Sequence, residues 1–249
     1  KGKGLEIGVA ELVEKVELVG VAAAKDDARP ILAGVLWVLD KKQITLAATD
    51  GYRLGVDYFK NDIPETLGDS QKFVLPVRAL MELVRVLEPS MKTVKVEFDN
   101  DKQQVIFLAD DIEMSSRLIA GEFPPYTKVI PTEKKITVVM DKEALMEAVK
   151  RASLFARDSA NVVKLAVSEG EVKVTAQSDQ MGGSQTTIEA EVEGDEVIIA
   201  FNARYLLDYL GVVKEEKITL ETGGELKPAV FRIEKSDFLH VIMPVRTQS

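Results

Sequence analysis

Four residues of this 249-residue chain could do chemistry by their type. Asp50 sits in the run Ala48-Thr49-Asp50-Gly51-Tyr52-Arg53-Leu54, and Asp110-Asp111 is an acidic pair; each offers the oxygens a hard cation needs. Aspartates in turns more often hydrogen-bond their own backbone, which makes a metal site the weaker reading. His240 is the single histidine, in the apolar run FLHVIMP, with no carboxylate or serine beside it to make a general base or a nucleophile pair. There is no cysteine, which excludes disulfides, thiolate chemistry and cysteine–metal sites. Gly182-Gly183 lacks the spacing of a phosphate loop and reads as a turn. What remains is binding without catalysis. The terminal stretch Phe238–Gln248 carries an apolar strand through Val241, Ile242 and Met243, stopped by Pro244, which has no N–H for a ladder. Together with the Asp50 turn and the connector Gly121-Glu122-Phe123-Pro124-Pro125-Tyr126 to Pro131, it would form one shallow apolar pocket.

The elements that must position these residues follow a repeating plan. Lys1–Gly4 reads as a disordered or linking start, and Leu5–Ala24 as a helix with Val9, Leu12, Val16 and Val19 inward. The run Lys25-Asp26-Asp27-Ala28-Arg29-Pro30 breaks it. Strands Ile31–Leu39, Gln43–Thr49 and Tyr52–Phe59 follow, with a tight turn at Asp40-Lys41-Lys42, then a polar loop Lys60–Ser70. Trp37 alternates with apolar neighbours and reads as core. A short strand Lys72–Leu75 leads to a helix at Val77–Leu87 with a stripe of Leu80, Leu83, Val84 and Leu87. Strands Thr93–Phe98, Gln104–Leu108 and Ile112–Ile119 are divided by Asp99-Asn100-Asp101 and Asp110-Asp111. After Pro131 the plan returns: strand Ile136–Met140, a helix capped by Asp141 with Leu145, Ala148, Val149, Ala152 and Phe155 inward, and strands Val162–Ser168, Val172–Gln177 and Thr186–Val192. Strand Val197–Phe201 then enters a helix capped by Asn202, with Leu206, Tyr209, Leu210 and Val213 inward, before strands Lys217–Thr222, Ala229–Glu234 and Phe238–Met243. The order strand, helix, three strands occurs four times, which makes the chain an internal duplication. The domains are expected at 1–131 and 132–249, each α+β, with two helices packed on curved antiparallel sheets.

Composition bounds the partners. Apolar residues make up 46% of the chain, enough for real cores, and the net charge is −9, which argues against a wholly basic nucleic-acid binder but not against basic residues gathered on one face. No apolar run approaches the roughly 20 residues that cross a bilayer, and no signal peptide is visible.

The ATDGYRL turn, the GEFPPYTKVIP connector, the FNARYLLDYL helix start and the terminal VIMPVR together resemble the bacterial β sliding clamp, the processivity subunit of DNA polymerase III. The four motifs occur in the family's order and span the chain. The resemblance is to the family's second and third domains, with the first absent. It implies two tandem DNA-clamp domains, no catalysis, no cofactor and a cytoplasmic, nucleoid-associated protein. It also implies a ring of six domains, closed by two three-domain chains head to tail, sliding on duplex DNA and tethering polymerase, clamp-loader and repair proteins through short peptides rich in Gln, Leu and Phe. A chain lacking the first domain is expected not to close that ring in the usual way and to be monomeric. The implied peptide pocket is lined by Leu32, Thr49, Gly51, Tyr52, Arg53, Leu54, Pro124, Lys128, Val129, Asn202, Tyr205, Val241, Ile242, Met243, Pro244, Val245 and Arg246. Tyr52 stands where histidine is frequent in the family, and Lys128 where arginine is.

The implied DNA contacts are to phosphate only, since a sliding protein must not read bases. They would come from helix faces and the loop after the first helix: Lys25, Arg29, Arg78, Lys150, Arg151 and Arg204, with Lys15, Arg85, Arg157 and Lys214 on the same faces, and the acidic run Glu189, Glu191, Glu193, Asp195 and Glu196 outside. Helix charges are otherwise a solvated face. Two other functions stay open from sequence: a self-sufficient two-domain clamp that trimerises, and a metal-dependent hydrolase using the turn aspartates.

Overall fold

Four copies of one plan, strand–helix–three strands, build the protein. The computed structural model describes residues 3–26, 28–64, 70–99, 103–157, 160–178 and 182–247. The chain divides between Pro125 and Tyr126 into two units, each holding two copies of the plan. Several expected features lie outside the described residues: Lys1 and Gly2 of the start, Asp27, residues 65–69 of the polar loop, the turn residues Asn100 and Asp101, and Gln248.

In the first unit, β1 (Lys3–Gly8) leads into α1 (Val9–Gly20), followed by β2 (Gly34–Asp40), β3 (Gln43–Thr49) and β4 (Arg53–Lys60). The second copy is β5 (Ser70–Pro76), α2 (Val77–Val86), β6 (Thr93–Asp99), β7 (Gln104–Ala109) and β8 (Ile112–Arg117). These strands form two antiparallel sheets, ordered β1-β6-β7-β8 and β4-β3-β2-β5. Two expectations change here. Residues 5–8 are strand, not helix: Leu5 pairs with Val96 and Ile7 with Val94, so alternation along a sheet edge overrides the helical spacing. Pro30–Ala33 is a turn of 3₁₀ helix, and β2 begins only at Gly34.

The core follows the apolar periodicity. Val9, Leu12, Val16 and Val19 of α1 are buried, and α1 packs on β4, β3 and α2. Trp37 is buried and stacks on Phe73, which meets Phe98 edge to face at 5.1 Å. An ion pair joins helix and sheet inside this unit: Lys15 Nζ of α1 donates to Asp57 Oδ2 of β4 at 3.1 Å, and the Asp57 side chain is 0% exposed. Lys15 is therefore not on the solvated face where its spacing put it. In α2, Leu80 and Leu83 are buried, whereas Val84 is only half-buried.

The second unit has β9 (Ile136–Asp141), α3 (Lys142–Ala156), β10 (Val162–Ser168), β11 (Glu171–Ser178) and β12 (Gly182–Glu193). Its other copy is β13 (Val197–Asn202), α4 (Ala203–Val212), β14 (Lys217–Thr222), β15 (Ala229–Ile233) and β16 (Leu239–Ile242). These strands are ordered β13-β10-β11-β12-β9-β14-β15-β16, all pairings antiparallel. Gly182 and Gly183, expected in a turn, open β12, paired with Ser178 and Gln177. Asp141 Oδ1 accepts from Ala144 N at 2.7 Å and Asn202 Oδ1 from Arg204 N at 2.9 Å, so both expected caps hold their helices. In α3 the stripe ends at Ala156, which is buried, while Phe155 is half-buried.

Aromatic rings fill the second core. Tyr209 packs on Phe231 at 5.2 Å and stacks on His240 at 5.1 Å, and Phe201 and Phe238 close the cluster. Burial, with the nearby Glu215 carboxylate adding, pushes the Tyr209 hydroxyl far above its ordinary value. Backbone and side-chain bonds tie the segment ahead of β9 to β14 and β15. Lys135 N donates to Thr222 O at 2.9 Å, and Lys134 Nζ to Glu221 at 2.8 Å; Arg232 Nε donates to the same carboxylate at 3.0 Å. Burial alone would raise Glu221, but these two hydrogen bonds and the two cations hold its carboxyl below the usual range.

Candidate functional site

In the first unit the candidate residues centre on the turn between β3 and β4. Gly51 has φ +96, in the region that favours glycine. Asp50 organises the turn. Its Oδ1 accepts from Tyr52 N at 2.9 Å and Arg53 N at 3.1 Å, and its Oδ2 from Arg53 Nε at 3.0 Å. Thr49 Oγ1 donates to Arg53 O at 2.6 Å and accepts from Gly51 N at 3.0 Å. Arg29 reaches over and donates to Asp50 O at 2.7 Å. This is an aspartate serving backbone and arginine, the ordinary task of an aspartate in a turn. Asp110 and Asp111 are likewise the two central residues of the β7–β8 hairpin, between the paired Ala109 and Ile112.

The network fixes what each residue presents. The Arg53 side chain is 2% exposed, so it supports the turn from within. Leu54 and Leu32 are buried beneath, and Leu32 O accepts from Ala24 N at 2.8 Å. Tyr52, in contrast, is 62% exposed and offers a ring to solvent. Pro124 is half-buried.

In the second unit, Lys128 and Val129 belong to a 3₁₀ turn, Tyr126–Val129. They line an open groove of about 360 Å³ with Ile130, Pro131, Thr132 and Glu133. The opposite wall is Gly223, Lys227 and Pro228 of the β14–β15 turn, and Met243 completes it. Val129 is 43% exposed and Met243 38%. Val241 and Ile242 pair with Val230 and Ala229 and are buried, so in this unit they are core under the surface rather than the surface itself. The chain then leaves the sheet at Pro244, and Val245 N donates to Ala200 O at 2.8 Å. Val245, Arg246 and Thr247 border another open groove, of about 750 Å³, along β10, β11 and β12. Asn202 caps α4, and Tyr205 is half-buried in its first turn.

Within units, then, Thr49, Gly51, Tyr52 and Arg53 share one network, Lys128, Val129 and Met243 share one groove, and Val245 and Arg246 share another. The wall Gly223, Lys227 and Pro228 was not anticipated. Its one signal in the sequence is Gly223-Gly224 followed by Pro228, the marks of a turn beside the last strands.

The basic residues divide in a similar way. Arg29 is engaged by the Asp50 carbonyl, and Arg151 pairs with Glu147 one turn away at 3.3 Å. Arg78, Lys150 and Arg204 lie exposed on α2, α3 and α4, and Lys25 in the loop after α1. Arg85 pairs with Glu82. Glu189, Glu191 and Glu193 are exposed on alternate positions of β12.

Among the described residues no group of three or more acidic or histidine side chains is placed to hold a metal ion. No helix among them is long and apolar enough to cross a membrane.

Comparison with known proteins gives one consistent result. Residues 6–125 match the family model for the central domain of the DNA polymerase III beta subunit, and residues 127–246 match that for its C-terminal domain. The chain is 33% identical over 230 residues to the beta sliding clamp of Bacillus subtilis, covering 91% of this chain and 60% of that one. It is 27% identical over 246 residues to the Staphylococcus aureus beta sliding clamp, covering 98% and 64%. Crystal structures agree: the Bacillus subtilis DNA polymerase sliding clamp superposes with a TM-score of 0.92 at 30% identity, covering 100% of this chain and 65% of that one. The Thermotoga maritima beta subunit gives 0.90 at 29%, covering 100% and 66%. The chain thus spans less than two thirds of the length of these relatives. Both halves of the chain, in the same order, match one subunit, and the chain belongs to the bacterial β sliding clamp family, the DNA polymerase III beta subunits.

Proposed function

We propose that this protein works as part of a DNA sliding clamp: a non-catalytic processivity factor that tethers replication and repair proteins to duplex DNA by holding their short linear peptides. The observation that carries the reading is the match of both units, in order, to the central and C-terminal domains of one such subunit. In the second unit the peptide meets the Lys128–Val129–Met243 groove; in the first, the Asp50 turn presents Tyr52 outward. Apolar anchors of roughly 1.5–3 kcal/mol each, reduced by the ordering of a flexible tail, suit partners that must exchange.

Duplex DNA is met through phosphates by the exposed cations of the helices, in a ring completed by a further domain and a second copy. The first eight residues of β12 pair with β11 on one edge, and only Ala190–Glu193 pair with β9 on the other. That open edge, beside α3 with its 51% exposed Leu154, suits a second chain. The protein acts in the cytoplasm, on the nucleoid.

Titration of a labelled peptide with a Gln-Leu-Phe pattern tests the reading. Saturable binding is expected, lost in a copy with Leu and Phe changed to Ala and weakened at least about tenfold by Met243→Asp, whose charge would be buried against the anchor. Unchanged affinity in a folded Met243→Asp protein would refute the site.

A further inference from the structure

The groove beside Met243 has a charge pattern that an apolar anchor does not explain. Its two walls each carry one lysine, Lys128 on the 3₁₀ turn and Lys227 on the β14–β15 turn. Both are exposed, and among the described residues neither ammonium has an acidic partner within ion-pair distance. The one acid that lines the groove, Glu133, is met by Lys135 at 3.4 Å. The rest of the lining is largely apolar, with Val129, Ile130, Pro131, Pro228 and Met243 beside one hydroxyl, Thr132. Lys227 is held in position, since its N–H donates to Gly224 O at 3.1 Å and its stem packs over Gly223, 3.5 Å from where a Cβ would stand. The groove's volume is at the low end for a ligand site. Two exposed cations on a groove with a largely apolar lining suit a segment with an apolar side chain and a carboxylate next to it.

We infer that Lys227, with Lys128, is a specificity residue of the peptide site, recognising Asp or Glu beside the apolar anchor of a partner's peptide. The inference rests on the peptide-binding reading above. A partner with an acidic flank binds tighter, associates faster and is more sensitive to salt than one with a neutral flank. Exposed pairs give modest gains, so the preference is a grading among competing partners rather than an on–off requirement.

Three labelled peptides test it against the whole chain: Leu/Phe anchors with Asp on both sides, the same anchors with Asn, and Ala anchors with Asp. In low salt the Asp-flanked peptide should bind about five- to tenfold tighter than the Asn-flanked one. That advantage should vanish above about 0.5 M salt and in Lys227→Glu, an exposed substitution that leaves the fold intact. The Ala-anchored peptide should not bind. Equal affinity of the first two peptides, or an advantage that survives Lys227→Glu, overturns the inference while anchor-dependent binding keeps the pocket. Failure of every peptide to bind removes both readings. A duplex oligonucleotide whose affinity falls in Lys227→Glu, with peptide binding unmoved, would assign the lysine to phosphate and overturn the proposal.

Discussion

Replacing Asp50 separates the two roles its carboxylate plays in the β3–β4 turn. Asn keeps an oxygen for Tyr52 N and Arg53 N but removes the charge facing Arg53 Nε at 3.0 Å. The Arg53 side chain is 2% exposed and Asp50 13%, so this pair is shielded and solvent replaces little of it. A hydrogen bond between charged groups contributes about 1.5–3 kcal/mol, and Asp50→Asn is expected to cost that much. Asp50→Ala also loses the two bonds to backbone N–H, for a total of about 3–5 kcal/mol. Trp37, the single tryptophan, is buried in the first unit and reports its unfolding alone. Urea titrations followed by its fluorescence measure both variants without assuming that the units unfold together. The reasoning is refuted if Asp50→Asn lies within about 0.5 kcal/mol of the parent, or if Ala is no worse than Asn. A turn that served a metal instead would lose bound cation in both variants, and its loss of stability would depend on the cation concentration.

Other perturbations read other parts of the structure. Lys15→Met takes the ammonium away from the fully buried Asp57 carboxylate, which keeps its bond from Tyr58 N; a loss of about 3–5 kcal/mol is expected by Trp37 fluorescence, and Asp57→Asn in the same chain should recover much of it. Gly194→Ala places a methyl against Lys135 O and 3.0 Å from Ile136 Cα at φ +105, both backbone, so calorimetry should show at least about 2 kcal/mol of destabilisation in the second unit. Glu221 has a lowered pKa in the folded protein, so its contribution is present above the ordinary value of 4.5 and is lost as the pH falls through the folded one. Glu221→Gln should therefore cost up to about 1 kcal/mol at neutral pH, as a partly exposed cluster allows, and progressively less as the pH falls below 4.5 and through the folded value; a constant difference across the acid range would contradict the assignment.

Much of this architecture was legible because period and punctuation agreed. The stripes of α1 and α4, the caps Asp141 and Asn202, and the hairpin at Asp110-Asp111 all stand where residue type and spacing put them. Residues 5–8 misled because Leu5 and Ile7 suit both a strand and the start of a helix, and only β6, far along the chain, decides between them. Lys15 misled because a lysine on a helix is ordinarily solvated, and nothing local announces a buried Asp57 on β4. At the site, the Asp50 turn could be read from Thr-Asp-Gly alone, since each residue has a local task. Lys227 could not, because its relevance comes from a groove whose other wall lies across Glu133 and Pro131.

The pairing of β1 with β6 has a consequence for synthesis. Every hairpin in β2–β3–β4 can close as soon as it emerges, but Leu5 and Ile7 must wait for Val96 and Val94. At about 5–20 residues per second, that wait on the ribosome is roughly 4–20 s. Through that interval an apolar strand edge is bare on the nascent chain, while α1, which it precedes, already has β3 and β4 to pack on. The first strand of this unit is among the last of its strands to be seated, so it is the segment of the unit most in need of a chaperone's protection before the unit is complete.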